Sequence, residues 1–357
     1  MLSPSSQCPA ARMCWIVVAL CGCGGDRARA DAAVADGVDL DAMADVATPD
    51  ADPGPCAFSA EAARFGLNVS AGEATAYLPD AVALGATWLR VELRHDLGIA
   101  HYNAVIDQIH ASGRKVLLLV DYMLTDGKPA WSAGAAAWVP YRAAFHADLI
   151  GVADALGAKV DAWEVWNEPD HQLTGGYDPG VPPDQFGLLL AESAAVIRPR
   201  SAGLLVVGGL ATKRFDYLTT AIAAAGGSLD YDGVGVHTYG PPTWTTAQIR
   251  SEIDAVIDGW YPVAQRPLWI TEAGAVATPA AETFAAGYVQ TLFDRVATTH
   301  AAVVKSVLYF SWSDQVGAAG EQFGLVRADG TRKPSFGVFA MLSPDPPIEV
   351  CPGPGLP

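Results

Sequence analysis

The stretch Trp163-Glu164-Val165-Trp166-Asn167-Glu168-Pro169-Asp170 ends an apolar run in an amide, a carboxylate and a proline. A strand carrying Val160, Ala162 and Trp163 can be buried, but Asn167 and Glu168 cannot follow it into a core without partners, so they belong at its mouth. Pro169 has no N–H to give a sheet and biases Glu168 towards extended backbone, so the strand is expected to stop there. The pattern returns in Pro267-Leu268-Trp269-Ile270-Thr271-Glu272-Ala273-Gly274, an apolar strand that again ends in a glutamate. Two glutamates at the ends of two buried strands meet the requirement of acid/base sugar chemistry, in which one carboxyl donates a proton while the other stays ionised.

Outward from these two segments, apolar runs of strand length alternate with helical stretches. The expected strands are 65–69, 87–93, 115–120, 160–166, 204–208, 233–237, 268–271 and 306–311, with helices at 100–111, 141–156, 184–198, 246–260 and 280–299. Strand followed by helix, repeated until eight strands are counted, predicts a parallel sheet closed into a single (β/α)8 TIM barrel. The open doubly wound sheet is the alternative, but no Gly-x-Gly-x-x-Gly stretch follows the first strand. A barrel of about 250 residues fits within the 357 available.

In a barrel, the residues that end each strand gather at one face. The second strand offers Arg90 and Glu92, the third Asp121 and Tyr122, the fourth Asn167 and Glu168, the sixth His237 and Tyr239, the seventh Glu272 and the eighth Trp312. Trp166-Asn167-Glu168-Pro169, His237-Thr238-Tyr239, Ile270-Thr271-Glu272 and Trp312, in this order, resemble the retaining glycoside hydrolases of clan A over residues 60–343. The resemblance implies that Glu168 is the general acid/base, Glu272 the nucleophile and Asn167 the partner of the sugar 2-hydroxyl. It also implies that Arg90 and Tyr239 hold the nucleophile and that Trp312 is the floor under the sugar. His237 alone would read as a core histidine, but with Tyr239 two positions on it is expected to serve the substrate site. The chain departs from cellulase-like members at the third strand, where they often place a histidine and this sequence has Asp121 and Tyr122. The short Trp-Asn-Glu-Pro-Asp segment and Phe323-Gly324-Leu325-Val326 lean towards xylosidase and iduronidase relatives or a cellulase-like branch.

The chemistry expected of such a site needs a proton on the leaving oxygen and a negative charge against an oxocarbenium-like centre. Arg90 beside Glu272 would favour the charged nucleophile, and that charge would hold the proton on Glu168. Trp88, Trp163 and Trp269 lie inside strands and read as core. Trp131, Trp138 and Trp244 fall in or near expected loops after the third and sixth strands, where sugar stacking and packing compete. Glu164 shares a face with Glu168 by alternation. His95, Asp96 and His101 form no recognisable ligand set, and neither a metal nor any other cofactor is expected.

Residues 1–23 read as a signal peptide, with a modest apolar stretch, Met13 to Leu20, after Arg12. Leu20-Cys21-Gly22-Cys23 resembles a bacterial lipoprotein processing site with Cys23 as the lipidated first mature residue; an ordinary cleaved signal or a start at Met13 is the alternative. Residues 24–55 are an expected disordered tether, and residues 26–55 alone hold eight Asp against Arg27 and Arg29, contributing −6 of the net −17. That charge argues against nucleic-acid or anionic-membrane partners, so membrane attachment would come through the lipid. The catalytic domain is expected over 56–357, ending in a proline-rich tail from Pro344. Cys56 and Cys351 bracket it, and an oxidising compartment outside the cytoplasm admits a disulfide between them. The expectation is a secreted or lipid-anchored monomer acting on a β-linked poly- or oligosaccharide. The alternatives are a carbohydrate-binding surface protein without turnover and an inert barrel scaffold.

Overall fold

The computed structural model describes residues 65–73, 76–172, 178–314 and 322–343. The expected signal segment with Cys23, the tether, Cys56, Cys351 and the tail from Pro344 lie outside the described residues. Eight parallel strands close in sequence order: β1 Phe65–Val69, β2 Trp88–Glu92, β3 Lys115–Val120, β4 Ala162–Asn167, β5 Leu204–Leu210, β6 Gly233–Gly240, β7 Leu268–Ala275 and β8 Val304–Tyr309. Each is followed by a helix: α1 Leu78–Ala83, α2 Ile99–Ala111, α3 Ala135–Leu156, α4 Pro183–Ile197, α5 Asp216–Ala224, α6 Thr246–Ala264, α7 Glu282–Thr298 and α8 Pro334–Leu342. This is the expected (β/α)8 barrel. The helices α1, α5 and α8 were not expected, and α3 begins six residues before Tyr141.

The strands are buried on both faces, as a parallel sheet under helices requires, and their apolar residues divide into two cores. The larger lies between the sheet and the helices and includes Trp163, whose Nε1 donates to Ser201 Oγ at 2.9 Å. The smaller fills the lumen with Trp88, Leu117, Ala162, Val206, Trp269 and Leu308. Gly233 leaves room for one indole, since a Cβ there would lie 2.6 Å from the Trp269 ring, and Gly66 lets β1 approach the Trp88 backbone, where a Cβ would lie 2.4 Å from its carbonyl oxygen. Trp88 and Trp269 meet edge to face at 5.0 Å and plug the barrel beneath its mouth. No helix among the described residues is long and apolar enough to cross a membrane.

Candidate active site

Alternation along the strands carries the lumen face upward from this plug. From Trp88 it passes to Arg90 and Glu92, from Leu117 to Asp121, and from Ala162 to Glu164. On β4 the alternation then breaks. Trp166 has φ 79°, which turns its ring outward against Tyr141 and Phe145 of α3 and lets its Nε1 donate to the Pro179 carbonyl at 2.7 Å. Gly208 on β5 accommodates this backbone, since a Cβ there would sit 1.9 Å from the Trp166 carbonyl oxygen. Asn167 and Glu168 are thereby both presented to the mouth.

Glu168 itself has φ 49°, in the left-handed region rather than the extended backbone expected before Pro169. A tight turn overrides the proline's preference: the Glu168 N–H donates to Gly209 O at 2.9 Å, and its carbonyl accepts from His171 N at 3.0 Å. On β7 the register against β8 shifts between Ile270 and Ala273, so Thr271, whose Oγ1 lies beside Gly235 as Glu164 Oε1 does, and Glu272 both reach the interior.

Arg90 organises what the strands deliver. Its Nε donates to Glu164, Nη1 donates to Asn68 Oδ1 at 2.8 Å and to Glu272 Oε1 at 2.6 Å, and Nη2 donates to Asn167 Oδ1 at 2.9 Å. Burial works against the guanidinium charge, but Glu164 and Glu272 outweigh it and raise its pKa further. Glu164 is fully buried and also accepts from Gly209 N at 3.0 Å. The other oxygen of Glu272 accepts from Tyr239 OH at 2.5 Å; burial and then Glu272 hold that phenol well above its ordinary value, so it remains a donor.

Glu168 faces two imidazoles. Its Oε1 lies 3.1 Å from His237 Nδ1 and its Oε2 lies 3.4 Å from His171 Nδ1, while His237 Nδ1 is also 3.7 Å from Glu272 Oε2. Burial pushes the Glu168 carboxyl up, but hydrogen bonds from His171 and His237 outweigh it and bring it down to about 2. Burial pushes the His237 imidazole down, and Glu272 with Glu168 raises it above its ordinary value; the hydrogen bond to Glu168 raises His171. The shift of the Glu168 carboxyl thus runs opposite to the one Glu272 alone would produce, because His237 stands between the two carboxylates. One ligand atom from each of Glu168, His237 and Glu272 lies within 4.8 Å of the others, a group that could hold a divalent ion.

The remaining candidates are dispersed. Trp312 is half-buried, its indole N–H donating to Asp80 Oδ2 at 3.0 Å and its ring edge-on to Tyr77 at 6.0 Å. Trp138 is not in a loop but fully buried in α3, and Trp131 packs against Tyr217. Tyr122 packs on Trp166. His95 and His101 bond the carbonyls of Met123 and Ala71, far apart in role from any ligand set. The residues missed from sequence are Asn68, His171, Phe310 and Phe323, together with the anchoring role of Glu164. Phe310 and Phe323 stand edge-on to Tyr239 at 6.2 and 5.5 Å, a wall behind the phenol. His171, three residues beyond Glu168, was recoverable from spacing alone.

Solved glycoside hydrolases share this barrel. The chain is similar to a family 5, subfamily 18 glycoside hydrolase from Streptomyces cattleya in complex with GlcNAc, with a TM-score of 0.61, 20% identity and coverage of 79% of this chain and 80% of that one. It is also similar to a family 39 glycoside hydrolase from Bacteroides cellulosilyticus, with a TM-score of 0.57, 16% identity and coverage of 79% and 64%. A third similar structure is a hyperthermophilic β-glucosidase from Pyrococcus furiosus, with a TM-score of 0.62, 15% identity and coverage of 78% and 94%. No family model matches the chain, and no curated protein matches it in sequence.

Proposed function

We propose that the chain is a glycoside hydrolase that cleaves β-linked poly- or oligosaccharides with retention, through a covalent glycosyl-enzyme intermediate. The observation that carries this reading is the convergence of two carboxylates on one imidazole nitrogen, His237 Nδ1, at 3.1 Å from Glu168 and 3.7 Å from Glu272. Such closeness supports direct attack by a carboxylate, which goes with carboxyl groups about 5 to 5.5 Å apart, over a mechanism that needs room for a water between them. The glycosidase neighbours and the resemblance of the strand-end motifs support the same reading.

In this mechanism Glu272, fixed by Arg90 and Tyr239, attacks the anomeric carbon as the glycosidic bond breaks. The proton shared among Glu168, His171 and His237 passes through the Glu168 carboxyl to the leaving oxygen. The bond just formed consumes the Glu272 charge. Glu168, now ionised, takes a proton from water as it attacks the ester, and the sugar leaves with its original configuration. Asn167, held by Arg90, takes the sugar 2-hydroxyl, and Trp312 contributes to the sugar-binding floor.

The same reading places the enzyme outside the cytoplasm as a monomer, secreted or held at the cell envelope through a lipid on Cys23. Cys56 and Cys351 form a disulfide there, checked by titrating free thiols in protein taken from an oxidising compartment. The decisive test is a panel of 2-deoxy-2-fluoro aryl β-glycosides followed by peptide mapping. A stable adduct on Glu272 is expected. Turnover with inverted product configuration and no adduct from any sugar would sink the retaining mechanism.

A further inference from the structure

We propose that Glu92 is a substrate-binding residue that takes hydroxyl groups of an uncharged glycone, and that the site rejects uronic acids. The inference rests on the glycosidase reading above and adds the class of sugar to it. Glu92 ends β2 on the lumen face, two residues beyond Arg90 and level with Leu119 of β3, and is half-buried at the mouth. Its carboxyl has no hydrogen-bond partner among the described residues, whereas the two carboxylates that bond Arg90, Glu164 and Glu272, each accept at least twice.

Beside it, at the end of β3, Asp121 is fully buried: Oδ1 accepts from Met123 N at 2.8 Å, while Oδ2 has no partner. Burial pushes Glu92 up to about 7, with Arg90 opposing and Glu272 adding to the rise; burial and then the Glu92 charge push Asp121 well above its ordinary range. A carboxyl meets a hydroxyl group as an acceptor and, where burial keeps its proton, as an O–H donor, which is what hydroxyl groups need as partners. An unpaired carboxyl half-withdrawn from water is also costly until something bonds it. Glu92 lies two residues beyond Arg90 on the same face of β2, and Arg90 bonds Glu272, so the group that bonds Glu92 belongs to the sugar the nucleophile attacks.

A uronic acid would bring a carboxylate into this wall and would need a cation. Arg90 has Nε, Nη1 and Nη2 all committed to four side chains. Arg94 pairs with Asp96, and Lys128 donates to the carbonyls of Pro129 and Gly180 beside Asp178. The segments 173–177 and 315–321, which follow β4 and β8, contain no lysine or arginine. A substrate carboxylate therefore meets Glu92, Asp121 and the catalytic pair at a place where Arg90, His171 and His237 are already paired with Glu164, Glu272 and Glu168, and where Arg214 lies over the Trp131 ring.

The test compares wild type, Glu92→Gln and Glu92→Ala on aryl β-glucoside, β-mannoside, β-xyloside and β-glucuronide, with circular dichroism to check folding. Wild type is expected to favour one of the neutral glycosides over the glucuronide by about a hundredfold or more. Glu92→Ala is expected to lose about ten- to hundredfold in kcat/KM on that sugar, with Glu92→Gln intermediate because the amide still donates and accepts. Glucuronide cleavage as fast as that of the best neutral sugar, or a folded Glu92→Ala within about twofold of wild type, would overturn the proposal. If wild type cleaves none of them, the glycosidase reading fails, and calorimetric binding of the same four glycosides decides the Glu92 proposal alone. Weaker binding of neutral glycosides to Glu92→Ala supports it then, and equal binding overturns it.

Discussion

Trp166 and Glu168 occupy positive φ on either side of Asn167, a backbone conformation that costs of order 1–3 kcal/mol per residue and survives only where surroundings impose it. The return is that two consecutive polar side chains reach one mouth. The roles of the two glutamates can be separated there. Glu168→Ala is expected to be nearly inactive on poor leaving groups yet to form the intermediate from activated aryl glycosides, with azide restoring turnover and giving the retained glycosyl azide. Glu272→Ala should fail at the first step with every leaving group, and any azide product should be inverted. The opposite stereochemical pair would reverse the assignment.

A pH signature belongs to the same residues. The Glu168 carboxyl is lowered to about 2, so its stabilisation is present above its unfolded value near 4.5 and is lost as pH falls through 2. The imidazoles are raised, so their share is complete below about 6.5 and disappears as pH rises through their folded values. Thermal melts of Glu168→Gln against wild type should therefore differ most between about pH 4.5 and 6.5 and converge on both sides. A difference that is flat with pH would show that the carboxylate and imidazoles are not coupled. Little of this was legible in sequence. Glu168 and Glu272 were readable from their motifs, but alternation alone predicts Trp166, not Asn167, on the inner face, and no spacing rule shows that an imidazole will stand between the two carboxylates.

Among the elements, the long strands and helices were readable because their apolar runs are unbroken, and β1 and β3 fall where expected. The misses share a cause. Helices α1, α5 and α8 have six to nine residues, too few for a helical period to emerge, and Pro140 looks like a helix start although α3 runs through it from Ala135. Packing between elements is another property that sequence conceals. Helix α4 approaches α5 at Gly187, where a Cβ would lie 1.9 Å from the Ala221 carbonyl oxygen. Backbone cannot give way as a side chain can, so Gly187→Ala should push the two helices apart and lower stability by about 1–3 kcal/mol in urea denaturation. The strands that carry Glu168 and Glu272 are not in this contact, and the folded fraction should keep wild-type kcat. Unchanged stability would mean that the close approach does not exist in solution.

For the whole molecule, the order of events in folding follows from the partners of Arg90. They are 22, 74, 77 and 182 residues away along the chain and come from β1, β4 and β7. Helices can form from local contacts within microseconds, whereas contacts of such separation wait for the chain to bring distant segments together. No partial barrel holds all four, so activity should be absent from any intermediate that has helical signal but an open sheet. On dilution from urea, far-ultraviolet dichroism is expected to recover substantially before hydrolysis of an aryl glycoside begins, with the lag shared by the fluorescence of the buried tryptophans. Activity that returned in step with the first helical signal would mean that the site assembles without the barrel. If the chain is the proposed glycosidase, the guanidinium that bonds Glu272 also makes catalysis a reporter of ring closure.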